Sequence, residues 1–465
     1  MSRLVVISNR VPASDRPPQG GLAVAVHAAM RARGGLWMGW SGKSSGEDEP
    51  GPLRPRDEGA ITYALTDLCQ RDLAEYYEGL ANSVLWPLFH YRIDLTDFTR
   101  AHAEGYFRVN RLFAERLLPL LRPDDLIWIH DYHLIPLAAE LRRLGAQNRI
   151  GFFLHIPWPA PDVYLTLPVA EELLRAMTAY DLVGFQTRAD VENFGLCLRR
   201  SGIAQPVPGS EGLHVAGARR FQLGHFPIGI DAPAFARTAR QAVRNSAMRR
   251  FHASLEGRTL VVGVDRLDYT KGLPQRLDGY RRFLEAHPDW LGRMTYLQVT
   301  PQSRAGVAQY EALRREVAEI AGNINGRLGR LDWSPVRYVN RAFSQQVLAS
   351  VYHMARVALV TPMRDGMNLV AKEYVAAQDP EDPGVLILSR FAGAAEELAC
   401  GALLVNPYDP DMIAQAIADA VAMPLHQRQE RHAAMSEALH RYSVFDWASD
   451  YLARLEGRRP DTEAA

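Results

Sequence analysis

The chain has 465 residues, 47% hydrophobic and 23% charged, with 35 Gly and 29 Pro. That supplies apolar material for two large domains at roughly 100–200 residues each, and it excludes a disordered chain, a collagen-like rod or a coiled coil. Lys+Arg 53 balances Asp+Glu 53, so no global field draws the protein to nucleic acid or anionic lipid, and neither is expected as a partner.

The N-terminal MSRLVVISNR is too short in apolar residues for a secretory leader, and no apolar run approaches 18 residues, so no membrane span is expected. LVVIS (4–8) opens a series of short β-rich runs, continued by DLIWIHD (125–131), RIGFFLHI (149–156), DLVGFQT (181–187) and FQLGHFPI (221–228). Helical patterns lie between them at 22–33, 133–145 and 188–202. An Arg-rich helical stretch at 232–256 follows, and the alternation restarts with TLVVGVD (259–265), MTYLQVTP (294–301), VRYVN (336–340), VALVTP (357–362), GVLILS (384–389) and ALLVNP (402–407). Apolar strands joined by helices predict parallel sheets covered on both faces. Two such series predict an α/β chain of two doubly wound Rossmann-like domains, 1–229 and 230–440, hinged near Gly229–Asp231, with 441–465 a helix packing back on the first. Cys69, Cys197 and Cys400 are odd in number and far apart, which fits a reducing, cytoplasmic setting without disulfides or a zinc site.

In such sheets ligands bind beyond the carboxyl ends of strands, near helix N-termini. That rule selects Asn9, Arg10, Asp131, His155, Arg266, Asp365 and Gly366. Several imitations fail. WSGKSSG (40–46) lacks the first glycine of a phosphate loop, because Trp37 stands there. Gly20-Gly21 is not GxGxxG. Asp409-Pro410-Asp411 reads as a helix N-cap rather than a metal motif, and His130 and His133 lack HExxH spacing, so no metal is assigned.

Of the 53 basic residues only Lys43, Lys271 and Lys372 are lysine. In a chain that uses Arg for a generic cation, Lys271 in VDRLDYTKGLP (264–274) suggests a place where a compact ammonium is needed, and with Arg266 and Gly272 it suits a diphosphate. TPMRDGMNLVAKEY (361–374) ends a strand, turns through Gly366 and starts a helix near Asn368. Its free N–H groups attract an anion, and Glu373 one turn on can accept from ribose hydroxyls. EYYEGLANSVLWPLFHY (75–91) offers Tyr77 and Trp86 as sugar-stacking rings, although a core helix has the same look.

The segments SNRVP, GGLA, GLWMGWSG, EYYEGLANSVLWPLFHY, WIHDYHL, GFFLHIPWP, DRLDYTKGLP and TPMRDGMNLVAKEYVAAQ, in order from Ser8 to Gln378, resemble the signature segments of trehalose-6-phosphate synthases. FAGAAEEL and LLVNPYD extend the likeness over nearly the whole chain. The resemblance implies a GT-B glycosyltransferase that binds donor and acceptor in the cleft between its domains and transfers glucose with retention, without metal or other cofactor. It implies that Arg10, Tyr77, Trp86, Asp131 and Arg304 hold glucose 6-phosphate. Gly20 and Gly21 would reach the donor phosphates, Arg266 and Lys271 the diphosphate, and Phe343 the base. Asp365, Gly366, Met367, Asn368, Leu369, Val370, Ala371, Lys372 and Glu373 would hold the donor, with His155 and Asp365 at the transferred glucose. UDP-glucose is the expected donor, although nothing in the residues chooses among uridine, adenosine and guanosine. A glucosylglycerol-phosphate synthase and a silent sugar-phosphate sensor are the alternatives; the retained Arg10, Tyr77 and Trp86 oppose the first, and the retained Arg266, Lys271 and Glu373 the second. About 58 residues follow Pro407, fewer than the roughly 100 a phosphatase domain needs, so a separate trehalose-6-phosphate phosphatase is expected to act on the product. The resemblance leaves room for a homo-oligomer.

Overall fold

The computed structural model describes residues 2–11, 26–27, 29–31, 33–46, 49–243, 245–302 and 308–458. The chain divides into two units, one of residues 1–228 with 444–465 and the other of 229–443.

The strands of the first unit are β1 Leu4–Arg10, β2 Gly35–Ser44, β3 Arg54–Glu58, β4 Ile61–Leu68, β5 Leu126–His130, β6 Arg149–Phe153, β7 Leu182–Phe185, β8 Gln205–Pro206, β9 Leu213–Ala216 and β10 Arg219–His225. They form one sheet in the order β3-β4-β2-β1-β5-β6-β7-β10-β9-β8. From β4 to β10 every pairing is parallel; β3 and the β9–β8 pair add antiparallel edges. Leu4, Val5, Val6 and Ile7 have no exposed surface, as a strand covered on both faces requires. WSGKSSG is mostly strand, since β2 runs through Ser44.

The helix Val444–Leu455 belongs to this unit because the sheet has a seat for it. Gly151 on β6 and Gly184 on the neighbouring β7 are offset by two residues in register, and a Cβ would stand 2.5 Å from Tyr451 at the first and 2.7 Å at the second. Through that notch the Tyr451 hydroxyl donates to the Phe152 carbonyl at 2.9 Å, and its ring stacks on Trp128 at 4.6 Å.

The second unit contains β11 Thr259–Val264, β12 Met294–Val299, β13 Val336–Val339, β14 Val357–Val360, β15 Val385–Ser389 and β16 Leu403–Val405. The order β13-β12-β11-β14-β15-β16 is parallel throughout and is that of a Rossmann sheet. Its strand order reverses between β11 and β14, and the parallel run of the first sheet reverses between β1 and β5. These four strand ends are where the topology leaves a crevice for ligands. Asp409 caps the helix Pro410–Ala422 by accepting from the Asp411 and Met412 amides, as its sequence suggests.

Candidate active site

In the second unit the chain leaves β11 through Asp265 and Arg266, makes the short turn Tyr269–Lys271 and enters the helix Leu273–Ala286. Gly272 joins the two with φ 64°, and a Cβ there would stand 2.5 Å from the Thr361 carbonyl, so the turn that aims Lys271 requires glycine. Lys271 Nζ lies 2.5 Å from Asp365 Oδ2, on the loop that leaves β14. Asn368 Nδ2 donates to the same carboxylate oxygen at 3.0 Å. With φ 76° Asn368 caps the helix Leu369–Ala377, its Oδ1 accepting from the Ala371 amide. Lys271, Asp365 and the start of that helix therefore converge at the switch point. Arg266 is exposed, 3.9 Å from buried Asp268.

Beneath this group is an ion pair the sequence reading passed over. Arg276 is fully buried and donates to Asp265 at 2.6 Å, Thr361 Oγ1 at 3.0 Å and the Lys271 carbonyl at 3.2 Å. Burial lifts the Asp265 carboxyl above its ordinary range, while Arg276 and Lys271 pull it down. The signal was available: Arg276 shares the apolar face of Leu273, Leu277 and Tyr280, where a solvated arginine has no place. Further along the loop, Met367 and Ala371 are buried and Leu369 and Val370 half-buried. The Lys372 ammonium is buried against Glu397, which commits that side chain to the fold. The ring of Phe343, after β13, lies under Arg341, with the guanidinium carbon 4.7 Å from its centre.

Burial pushes the Glu373 carboxyl up to about 7. A raised carboxyl favours the folded state fully below the unfolded value near 4.5, and that contribution is lost as pH rises through 7. Glu373→Gln should therefore gain stability relative to wild type between pH 5 and 8, read as a rising difference in Tm. A constant difference over that range would contradict the placement.

In the first unit Arg10 ends β1 and lies over Trp40, 5.8 Å from the ring centre. Gly42, at φ 85°, leaves room for it: a Cβ would come within 2.6 Å of the guanidinium. Trp40 approaches Tyr77 at 5.4 Å, and Tyr77 stacks on His133 at 5.9 Å. Tyr77 lies on a wide π-type helix, Leu73–Leu85, continued by the α-turn Trp86–Phe89. Trp86 is 5% exposed and packs on His90 and Tyr132, so its ring belongs mainly to the core. Asp131 follows β5 with φ 75°, an unusual backbone state for a non-glycine residue, and its Oδ1 accepts from the His155 amide at 3.4 Å. His155 follows β6, and burial pushes its imidazole down to about 3. Arg10, Tyr77, Asp131 and His155 thus all lie at the carboxyl ends of strands or on the helix beside them. Gly20, Gly21 and Arg304 lie outside the described residues.

Among the described residues no cluster of three or more His, Cys, Asp or Glu has the makings of a metal site, and no helix is long and apolar enough to cross a membrane.

Residues 7–457 match the model of glycosyltransferase family 20. The chain belongs to this family. Within it, the trehalose-6-phosphate synthase of Sinorhizobium fredii is 58% identical over 459 residues, 98% of each chain. A crystal structure of a UDP-forming α,α-trehalose-phosphate synthase from Burkholderia xenovorans, in complex with glucose-6-phosphate, superposes with a TM-score of 0.94 at 44% identity, covering 98% of this chain and 100% of that one. An E. coli trehalose-6-phosphate structure bound with UDP-2-fluoro glucose gives 0.93 at 46% identity, covering 99% and 100%. As a family 20 member the chain is a glycosyltransferase, and its two units are the Rossmann-like domains of the GT-B fold.

Proposed function

We propose that this family 20 enzyme forms α,α-trehalose 6-phosphate from UDP-glucose and glucose 6-phosphate, retaining the anomeric configuration. The observation that carries this reading is likeness at 44–58% identity, over at least 98% of this chain, to trehalose-phosphate synthases, one of them holding glucose-6-phosphate. Lys271 and Arg266 meet the donor diphosphate together with the amides at the start of Leu369–Ala377, and stabilise the charge that develops as the leaving group departs. Phe343 lies at the base, Glu373 accepts from the ribose, and Asp365 and His155 orient the transferred glucose. No protein carboxylate attacks. The acceptor hydroxyl adds on the face the phosphate leaves, and the departing phosphate oxygen takes its proton. Arg10 and Arg304 receive the acceptor phosphate, with Tyr77 and Asp131 around its sugar and Trp86 offering only the small exposed part of its ring. No metal is needed, because protein cations occupy its role. The reaction is cytoplasmic, and its phosphorylated product needs a separate phosphatase to become free trehalose.

Unphosphorylated glucose should be the poorer acceptor by roughly 2–5 kcal/mol in kcat/KM, the usual cost of leaving one member of a charged pair without its partner. Arg10→Ala should remove much of that preference by weakening use of glucose 6-phosphate alone. Equal use of both sugars by the wild-type enzyme would contradict the acceptor assignment.

A further inference from the structure

Behind His155 stands a second histidine. His130 ends β5 at 1% exposure and sets its Nδ1 3.1 Å from His155 Nε2, with the two rings 5.4 Å apart and 27° from parallel. Burial holds His130 well below the ordinary histidine range and His155 near 3, so both are neutral at working pH. Their contact is then a single N–H···N hydrogen bond with two ways to place its proton.

If His155 Nε2 is the donor, His130 must carry its own proton on Nε2. That atom is buried and has no hydrogen-bond partner among the described residues. A buried donor without an acceptor is the rarer kind of orphan in folded proteins. If His130 Nδ1 is the donor, only a lone pair is left at its Nε2, in a setting that includes the Trp128 ring at 4.5 Å. His155 then carries its proton on Nδ1. The backbone amide of His155 is held by Asp131, and its ring sits against Phe153 at 4.7 Å and Trp447 at 6.2 Å.

We propose that His130 is a positioning residue that fixes His155 as the Nδ1–H tautomer, so that His155 meets the transferred glucose as a neutral hydrogen-bond donor through Nδ1. A neutral donor orients a sugar hydroxyl without placing a cation near an anomeric carbon that turns positive as the phosphate leaves. The tautomer stands on the contact between the two rings, their burial and the partnerless Nε2 of His130; the contact with glucose rests on the proposed function.

The test has two arms. In protein labelled with 15N-histidine, the ring-nitrogen shifts and two-bond couplings report which nitrogen bears the proton. His155 should show protonated Nδ1 and bare Nε2, the reverse of what a free imidazole favours in water. A proton on Nε2 overturns the assignment. In the kinetic arm, His130→Asn keeps an amide donor near the Nδ1 position, whereas His130→Phe keeps a ring without a donor. His130→Phe should lose about 10–100-fold in kcat with a smaller change in donor KM, and His130→Asn should recover most of the loss. Equal kcat for the two variants, at equal Tm, overturns the positioning role. If His130→Phe does not fold, the 15N arm decides the tautomer by itself. If the tautomer is as assigned but His155→Ala keeps wild-type kcat, the placement of glucose at His155 falls and the tautomer stands.

Discussion

Lys271→Ala is expected to lower kcat by two to three orders of magnitude, the usual cost of removing one preorganised donor from a developing negative charge. The side chain is held at the switch point by the glycine turn behind it and by Asp365 at 2.5 Å. Its removal takes away a cation and also leaves Asp365 with one fewer partner. Lys271→Arg conserves charge, but at 12% side-chain exposure a longer planar fork has little room beside Asp365. The arginine variant should therefore recover only part of the activity. Steady-state kinetics with UDP-glucose varied would check both, and wild-type kcat/KM in Lys271→Arg would end the argument from the scarcity of lysine.

Arg276→Ala should cost about 3–5 kcal/mol of stability, because it strands the Asp265 carboxylate in a buried position. The loss should reach the site as well, since Arg276 donates to the Lys271 carbonyl. Replacing Asp265 by Asn in the same chain should restore part of the stability, as the stranded charge is then gone. Denaturant titration of the single and double variants reads this directly. An equal loss in both would show that the charge pair is not what the fold depends on.

The Rossmann series was legible because its strands are continuous apolar runs. LVVIS, RIGFFLHI and VALVTP carry a signal that few other structures produce. The strand Gly35–Ser44 was not legible, since three of its ten residues are glycine and β-branched side chains are absent from it. Edge strand Arg54–Glu58 is exposed along its whole length and has no apolar pattern to find. The post-strand rule picked Arg10, Asp131, His155, Arg266 and Asp365, which lie at or beyond strand ends, but the same position also holds plain helix caps such as Asp409. Lysine scarcity singled out Lys271, but the same reasoning applied to Lys372 leads into the core, where a compact ammonium fits against Glu397. What the sequence hid were two supports, Gly42 beside Arg10 and His130 behind His155, whereas Arg276 beneath Lys271 could be found from the apolar helix face it shares. Gly42 acts through the space it leaves and His130 through a partner 25 residues away, and neither has a local pattern.

The proposed reaction is metal-free transfer of glucose from UDP-glucose to glucose 6-phosphate. It is tested by incubating the purified protein with both substrates in a strong chelator and analysing the products by mass spectrometry and NMR. The expected products are α,α-trehalose 6-phosphate and UDP in equal amounts, at the rate seen without chelator. Free trehalose as the main product, or activity lost to the chelator and restored by magnesium, would contradict it.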